Sequence, residues 1–273
     1  MNCLDALGFS ASAMAKKSGA RVLGDAQVEK GDMRTGHPAP LVAAIGSGGK
    51  TALLRSLAGE LREQGVHVVL ATTTHFMPFD GIETVSSGDM RELERVLERD
   101  GVACAAAPAA GRAGTAGKLG PSPLSISQLR EVADVVLIEA DGSKRLPLKL
   151  HAEHEPVVPA GSACVAYVLG ASGFGRPLAQ ACHRAELASE LLGIDPGEAA
   201  ATPELAARLL AAEIERGAIA PTHIIVNQAE DEATREQAWA FAAELQRLGA
   251  ATPVLAGSIR GHELEQAAGP RNR

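Results

Sequence analysis

Aromatic side chains are scarce. One Trp, one Tyr and five Phe make up 3% of the 273 residues, so a core must be built from Ala, Val, Leu and Ile. Cysteine is scarce as well. Cys3, Cys104, Cys164 and Cys182 lie far apart with no C-x-x-C pair, a spacing unlike a zinc site or a disulfide framework and consistent with a reducing compartment. Basic charge is not in excess: Lys and Arg number 26 against 33 Asp and Glu, a net charge of −7. A nucleic-acid binder needs basic surface to engage backbone phosphates, so no nucleic-acid partner is expected. Long apolar runs are missing too. None reaches the roughly 18 residues of a membrane helix, and residues 1–20 have no basic segment ahead of an apolar one. Neither a membrane partner nor a signal peptide is expected, and the expected location is cytoplasmic.

What is present is a globular composition, 46% hydrophobic and 22% charged, long enough for one large domain or a core with a small subdomain. One stretch organises it: Ala44-Ile45-Gly46-Ser47-Gly48-Gly49-Lys50-Thr51. It follows the apolar run Leu41–Ile45 and opens a helical run from Ala52 to Gln64. Glycines let the backbone curl so that several N–H groups point inward. The helix behind adds unpaired N–H groups and the positive end of its dipole. Gly46, Ser47, Gly48 and Gly49 are therefore the expected phosphate cradle, with Lys50 reaching the outer phosphates and the Thr51 hydroxyl holding Mg²⁺. The expected ligand is ATP or GTP, whose phosphates need only local positive groups. The phosphate-loop pattern G-x-x-x-x-G-K-[ST] wants glycine at position 44, which is Ala44 here; Gly46 and Gly48 supply flexibility from inside the loop. The plainer alternative is a Gly-rich strand-to-helix turn with a surface lysine.

Periodicity assigns the rest. Residues 1–39 mix Gly, Lys, Asp and Arg after a short helical stretch from Leu4 to Ala15, and read as a mobile N-terminal extension. After the loop, Leu54, Leu57, Ala58 and Leu61 line one helical face, and Val66–Ala71 is a strand ending in Thr72-Thr73-Thr74-His75. A helix is expected over 89–99, a strand over 102–107 and a loop over 108–123. Ser125 and Gln128 form a capping box for the next helix. Val135–Ile138 is a run of four apolar residues, the mark of a strand buried on both faces. It leads into Glu139-Ala140-Asp141-Gly142. Residues 143–162 read as a basic, Pro-punctuated loop. Strands at 164–169, 223–227 and 253–256 alternate with helices at 184–192, 203–216 and 232–248. This is an α/β architecture with a mainly parallel sheet and helices on both faces, of the P-loop NTPase-like kind. It occupies residues 40–258, and 259–273 reads as a frayed tail. In such sheets ligands sit at the carboxyl ends of strands, where each polar cluster of this chain falls.

Those clusters supply candidate chemistry. Glu139 and Asp141, two apart, point to one face. Asp141 is the expected second Mg²⁺ ligand beside Thr51, and Glu139 shares that role with activation of a water; a pair of solvated acids at a strand end is the bland reading. Thr73, in the Thr-rich segment, is a candidate for the metal or the γ-phosphate, weighed equally against β-favouring threonines at a strand end. Lys118, Lys144, Arg145, Lys149 and Arg184 are candidate phosphate clamps, Lys144 foremost because it lies close to Asp141, although each taken singly reads as a solvated charge. The string His151-Ala152-Glu153-His154-Glu155, followed by Pro156, fits no metalloprotease spacing and reads as a hydrogen-bonding or substrate-facing loop. Asn227-Gln228-Ala229-Glu230-Asp231 follows a strand where guanine-specific NTPases carry Asn-Lys-x-Asp. Asn227 is the candidate base contact, and guanine selectivity stays open because Gln228 and Glu230 replace the other two.

Taken in order, the loop at 44–51, Thr72-Thr73-Thr74-His75, Gly117-Lys118-Leu119, Glu139-Ala140-Asp141-Gly142-Ser143-Lys144, Pro147-Leu148-Lys149, His154-Glu155-Pro156-Val157-Val158-Pro159, His183-Arg184 and Asn227 resemble the YqeC-type family. Its members are described as accessory proteins of selenium-dependent molybdenum hydroxylases. The resemblance covers roughly residues 40–256 and departs from the family near Asn227 and before Pro40. It implies a P-loop NTPase-like fold and a role in maturing molybdenum-cofactor enzymes, with a hydroxylase client or a cofactor-maturation protein as partner. Composition and periodicity show neither molybdenum nor selenium. The expectation is a slow Mg-dependent NTPase that assists such maturation. The alternative is a phosphotransferase or nucleotidyltransferase acting on a small anion held by Lys144, Arg145, Lys149 and His154.

Overall fold

A computed structural model describes residues 1–8, 38–109 and 116–268. The chain opens with α1 (Cys3–Ala6), and the apolar run at 41 becomes β1 (Leu41–Gly46), buried along its whole length. α2 (Lys50–Glu63) follows the glycine loop, with Leu53, Leu54, Leu57, Ala58 and Leu61 on its buried face. Then come β2 (Val68–Thr72), the short β3 (Thr84–Val85), α3 (Met90–Asp100) and β4 (Val102–Ala105). Asp89 caps α3 by accepting from Arg91 N, and Gly101 ends it in the left-handed region. A hairpin of β5 (Ala107–Pro108) and β6 (Leu119–Gly120) leads to α4 (Ile126–Val132), whose Ser125–Gln128 capping box is as the sequence predicts.

The second half begins with β7 (Val135–Glu139), the two-residue β8 (Leu148–Lys149) and β9 (Cys164–Gly170). After α5 (Leu178–Ala181), β10 (Cys182–His183) and α6 (Leu187–Leu192), Thr202 caps α7 (Pro203–Glu215), which has proline in its first turn. β11 (His223–Asn227), α8 (Glu232–Arg247), β12 (Val254–Ser258) and β13 (Glu263–Ala268) complete the described chain.

The main sheet has the order β13-β12-β11-β9-β1-β7-β2-β4-β3. Every neighbouring pair is parallel except β12 with β13. β1 lies at the centre, between the acid-bearing β7 and β9. Side chains alternate between two cores. Leu41, Ala43 and Ile45 face one, shared with residues of α3 to α8, while Val42 and Ala44 face the other, shared with α1 and α2. Both faces being covered explains why the strands read as continuous apolar runs. The architecture is α/β with a mainly parallel sheet and helices on both faces. Because the strands are parallel, the segments that follow β1, β2, β7, β9 and β11 emerge at one edge.

Two boundary expectations are corrected. The first eight residues are part of the domain: Cys3, Leu4, Ala6 and Leu7 are buried in the core under α2. Cys3 N and Leu4 N donate to the Glu60 carboxylate at 3.1 and 2.8 Å, and the Met1 ammonium donates to Leu264 O at 2.9 Å. The helix there ends at Ala6, and the remainder of the expected Leu4–Ala15 stretch falls largely in 9–37, outside the described residues. At the other end, the expected frayed tail contains β13, which pairs with β12 and buries Leu264. Each is ordered by partners distant in sequence, α2 and Leu264 for residues 1–8 and β12 for β13.

Leu4→Ala is expected to cost about 2–5 kcal/mol in denaturant unfolding, as removal of a buried Leu from a packed core does. A loss within about 0.5 kcal/mol would mean that the N-terminus is not docked in solution.

Candidate functional site

At the end of β1 the backbone must turn through positions that a side chain would block. Gly46 has φ +88, and a Cβ there would lie 2.4 Å from Val168 O. At Gly48 (φ +74) it would lie 2.3 Å from Gly170 N, and at Gly49 (φ +143) 2.3 Å from Asn227 Nδ2. These three glycines are required by both conformation and space. Ala44 is not in the turn: it sits in β1, paired with Glu139 on one side and Ala166 on the other, its methyl in the core. Its departure from the eight-residue motif therefore leaves the loop intact. Ser47 N donates to Val168 O at 2.7 Å, and Ser47 Oγ donates to Leu146 O. Asn227 Nδ2 donates to Gly48 O at 2.8 Å while its Oδ1 accepts from Ile259 N at 2.9 Å.

α2 then begins with no side-chain cap at Gly49 and no acid in its first turn. Over its 14 residues the N–H groups of that turn and the positive dipole end face the loop. An anion fits this end in a way that a capped or acidic helix start would not allow.

The charged groups sit directly behind. Lys50, buried, places Nζ 2.6 Å from Gly46 O, 2.8 Å from Asp141 Oδ1 and 3.9 Å from Glu139 Oε1. Thr51 Oγ1 donates to Glu139 Oε2 at 2.9 Å. Asp141 is fully buried: its Oδ2 accepts from Gly46 N at 2.8 Å and meets His151 Nε2 at 2.9 Å and Lys149 Nζ at 3.3 Å. Lys149 Nζ also pairs with Glu155 at 2.9 Å and donates to Gly142 O. His151 continues inward, its Nδ1 3.2 Å from Glu213 Oε1 on α7, and its own N donates to the same carboxylate at 2.6 Å.

Burial tends to raise the pKa of Asp141, but Lys50, the hydrogen bond from His151 and the charge of Lys149 outweigh it and hold the carboxyl well below the usual range. For Glu139 burial prevails over Lys50 and Thr51, and its pKa lies above the ordinary value. Burial tends to lower His151, yet its hydrogen bonds to Asp141 and Glu213 win and raise it.

The structure gathers Gly46, Ser47, Gly48, Gly49, Lys50, Thr51, Glu139 and Asp141 at one point, as the sequence predicts. It redistributes their parts. The acid beside the Thr51 hydroxyl is Glu139, whereas Asp141 is enclosed by Gly46 N, Lys50, Lys149 and His151 and has no accessible face. The reason lies in the strand end: Glu139 is the last residue of β7, opposite Ala44, while Asp141 has already turned under the loop. Thr73 lies alongside, its N donating to Glu139 O at 3.2 Å and its Oγ1 to Val157 O at 2.8 Å. Lys118 precedes β6, where its carbonyl accepts from Ala109 N, and the next residue, Leu119, bridges to Phe76.

Lys144 is exposed, and the lysine that enters the cluster is Lys149. Asn227 holds the loop through Gly48. Gln228 Oε1 accepts from Ser172 Oγ at 2.6 Å, and Glu230 accepts from Ser258 Oγ at 2.7 Å. His151 and His154 diverge, the first bonded inward to Asp141 and Glu213, the second 3.4 Å from Arg184. Sequence reasoning passed over Glu213 and ranked Lys149 and His151 low. The available signal was the alternation Leu148-Lys149-Leu150-His151, which puts both polar residues on one side of an extended segment, and a lone carboxylate within the apolar run of α7.

Two tests follow from this geometry. Gly48→Ala is expected to lose about 1–3 kcal/mol, as strain at a blocked left-handed position does, and the loop shape with it. Gly65→Ala, at φ +77 with nothing within 4 Å of a new Cβ, is expected to lose less; equal losses in urea melts would show that the contact with Gly170 is immaterial. The second test is pH. The folded pKa of His151 lies above its ordinary value of 6.5, so the protonated ring stabilises the fold below about pH 6.5 and this contribution disappears as pH rises through the folded value. The stability difference between wild type and His151→Gln should be greatest in acid and shrink as pH rises through the folded pKa. A difference that is flat or grows with pH contradicts the assignment.

Strand, glycine loop, helix and an acid at the end of the adjacent parallel strand make a P-loop NTPase-like fold. The family model described as "YqeC protein" matches residues 42–186. That span holds β1, the glycine loop, Glu139, Asp141, Lys149 and His151, and stops before Glu213 and Asn227. The uncharacterized protein YqeC of Escherichia coli (strain K12) is 33% identical over 158 residues, 57% of this chain and 62% of that protein, so the match spans less than two thirds of the relative. Among solved structures, chloroplast FtsY from Physcomitrella patens aligns with 93% of this chain and 69% of its own at 15% identity and a TM-score of 0.40. FtsY from Mycoplasma mycoides aligns with 88% and 65% at 13% identity and a TM-score of 0.39. The family match covers more than half of the sequence, and the chain belongs to the YqeC family.

Proposed function

We propose that the chain binds a Mg²⁺-nucleoside triphosphate at the loop between β1 and α2, hydrolyses it slowly, and uses the change of state to assist the maturation of a molybdenum-cofactor enzyme. The observation that carries the nucleotide reading is the uncapped start of α2 behind three sterically required glycines, with Lys50 and Thr51 in its first turn. Gly48, Gly49 and the first amides of α2 would hold the phosphates, and Lys50 would turn its ammonium from Gly46 O toward them. Thr51 Oγ1 and the Glu139 carboxylate are hard oxygen donors, the type that Mg²⁺ takes when it keeps waters and phosphate oxygens in its remaining positions. When bound, Mg²⁺ neutralises charge on the transferring phosphoryl group.

The parts played by the protein's own residues are distinct. Asp141 anchors Lys50 and Gly46 N, and so keeps the loop open in the shape phosphates need. Glu139, with its raised pKa, is close enough to Thr51 to orient a water or a metal-bound oxygen, in accord with its expected double role. The accessory role and its client rest on the sequence resemblance alone.

Calorimetric titration of ATP, GTP and CTP with Mg²⁺ tests this. Wild type should bind at least one triphosphate, and Lys50→Ala should bind it at least about tenfold more weakly, the effect of losing a charged hydrogen bond. Thr51→Val and Glu139→Gln should weaken Mg²⁺ dependence with little change in melting temperature, whereas Asp141→Asn should lower stability first, since it disturbs a buried ion cluster. No binding of any triphosphate by folded wild type would refute the proposal. Nucleotide-dependent capture of a molybdenum hydroxylase or one of its maturation proteins tests the client.

A further inference from the structure

Among the described residues five non-glycines adopt positive φ: Lys144 (47°), Arg145 (61°), Arg184 (62°), Gln228 (64°) and His262 (53°). Such conformations persist where the surroundings impose them, and they gather at functional sites. Four of the five lie around the glycine loop, and three of those four are cations. Lys144 and Arg145 form the exposed crown of the segment from Asp141 to β8. The flanks of that crown are pinned to the loop: Ser143 Oγ is 3.5 Å from Lys50 Nζ, Leu146 O accepts from Ser47 Oγ, and Pro147 O accepts from Gly170 N at 2.9 Å.

β8 pairs with β10, Lys149 opposite His183, and this brings His183 and Arg184 to the same place. Lys149 and Arg184 already have carboxylate partners, Asp141 lying 3.3 Å from Lys149. Glu155 stands 2.9 Å from Lys149 and 3.1 Å from Arg184, and is thereby taken up by two cations. Lys144 and Arg145 make no ion pair among the described residues. His183 is half-buried. Burial, then the charges of Lys149, Arg184 and Lys144, hold its pKa at about 4, opposed by the charge of Glu155. A half-buried imidazole on the strand beside Lys149, next to an exposed pair of cations that lack a counter-charge among the described residues, is what a small oxyanion would neutralise.

We propose that Lys144, Arg145, His183 and Arg184 form a second anion site beside the phosphate loop, one that takes a small molecule bearing a phosphate or carboxylate group. As the place where a co-substrate meets the nucleotide, the site rests on the function proposed above; as an anion site it can be tested without nucleotide. Lys144, Arg145 and Arg184 supply cationic donors to the anion, and His183 donates or accepts one hydrogen bond according to its proton.

The test is the pH titration of His183 in the full chain, followed by imidazole NMR and assigned by the signal lost in His183→Gln. It is run in sodium chloride, in inorganic phosphate and in malonate at matched ionic strength, so that screening is equal. Occupation by an anion stabilises the imidazolium. The His183 pKa should rise by at least about one pH unit in phosphate or in malonate relative to chloride, and whichever anion is effective names the group. The doubly substituted Lys144→Ser/Arg145→Ser protein, altered only at exposed positions, should lose that anion-linked rise. No rise with either anion overturns the proposal. So does a rise that persists in the double variant, since the anion then sits elsewhere, as in the glycine loop. Failure of every triphosphate to bind while the rise occurs would discard the nucleotide reading and leave the anion site standing.

Discussion

One buried carboxylate holds this domain's loop edge together. Asp141 is surrounded by a backbone N–H from the end of β1, the lysine that opens α2, a lysine from β8 and a histidine that passes the connection on to α7. A charge in that position is tolerable only because it is paired with Lys50 and Lys149 and its Oδ2 accepts from Gly46 N and meets His151. In return it sets where β1, α2 and the 142–151 segment stand relative to one another. The same carboxylate gives the buried Lys50 ammonium a counter-charge at 2.8 Å.

The strand order makes this arrangement available. β7 hydrogen-bonds directly to β1, so Glu139 arrives next to Thr51 and Asp141 beneath the loop. β9 on the other side supplies Val168 O and Gly170, which leave no room for side chains at Gly46 and Gly48. β11 adds Asn227, which closes on Gly48. The loop is thus enclosed by backbone and short polar contacts from three strands, with Lys144 and Arg145 exposed beyond it.

Much of this could be read without coordinates. The apolar runs at 41–45 and 135–138, the capping residues Ser125 and Thr202, and the glycine spacing before Lys50 are local signals with local causes, and each produced the element it indicates. Other features are not encoded locally. Lys144 lies nearer to Asp141 in sequence than Lys149 does, yet the backbone turns it outward, and the two-residue strand β8 carries Lys149 back under the loop. The docking of residues 1–8 and the strand at 263–268 depend on Glu60 and β12, partners that no local pattern reveals.

The sequence by itself therefore determined the α/β class, the central glycine loop with Lys50 and Thr51, and the two acids behind it, because helix and strand periodicity, capping and steric freedom at glycine act over a few residues. Only the tertiary structure decided which acid stands where. It put Glu139 beside Thr51, buried Asp141 among Lys50, Lys149 and His151, and turned Asn227 to the loop. Those outcomes depend on which strand lies beside β1 and on which charges can share one dry space, and neither is a property of any single segment.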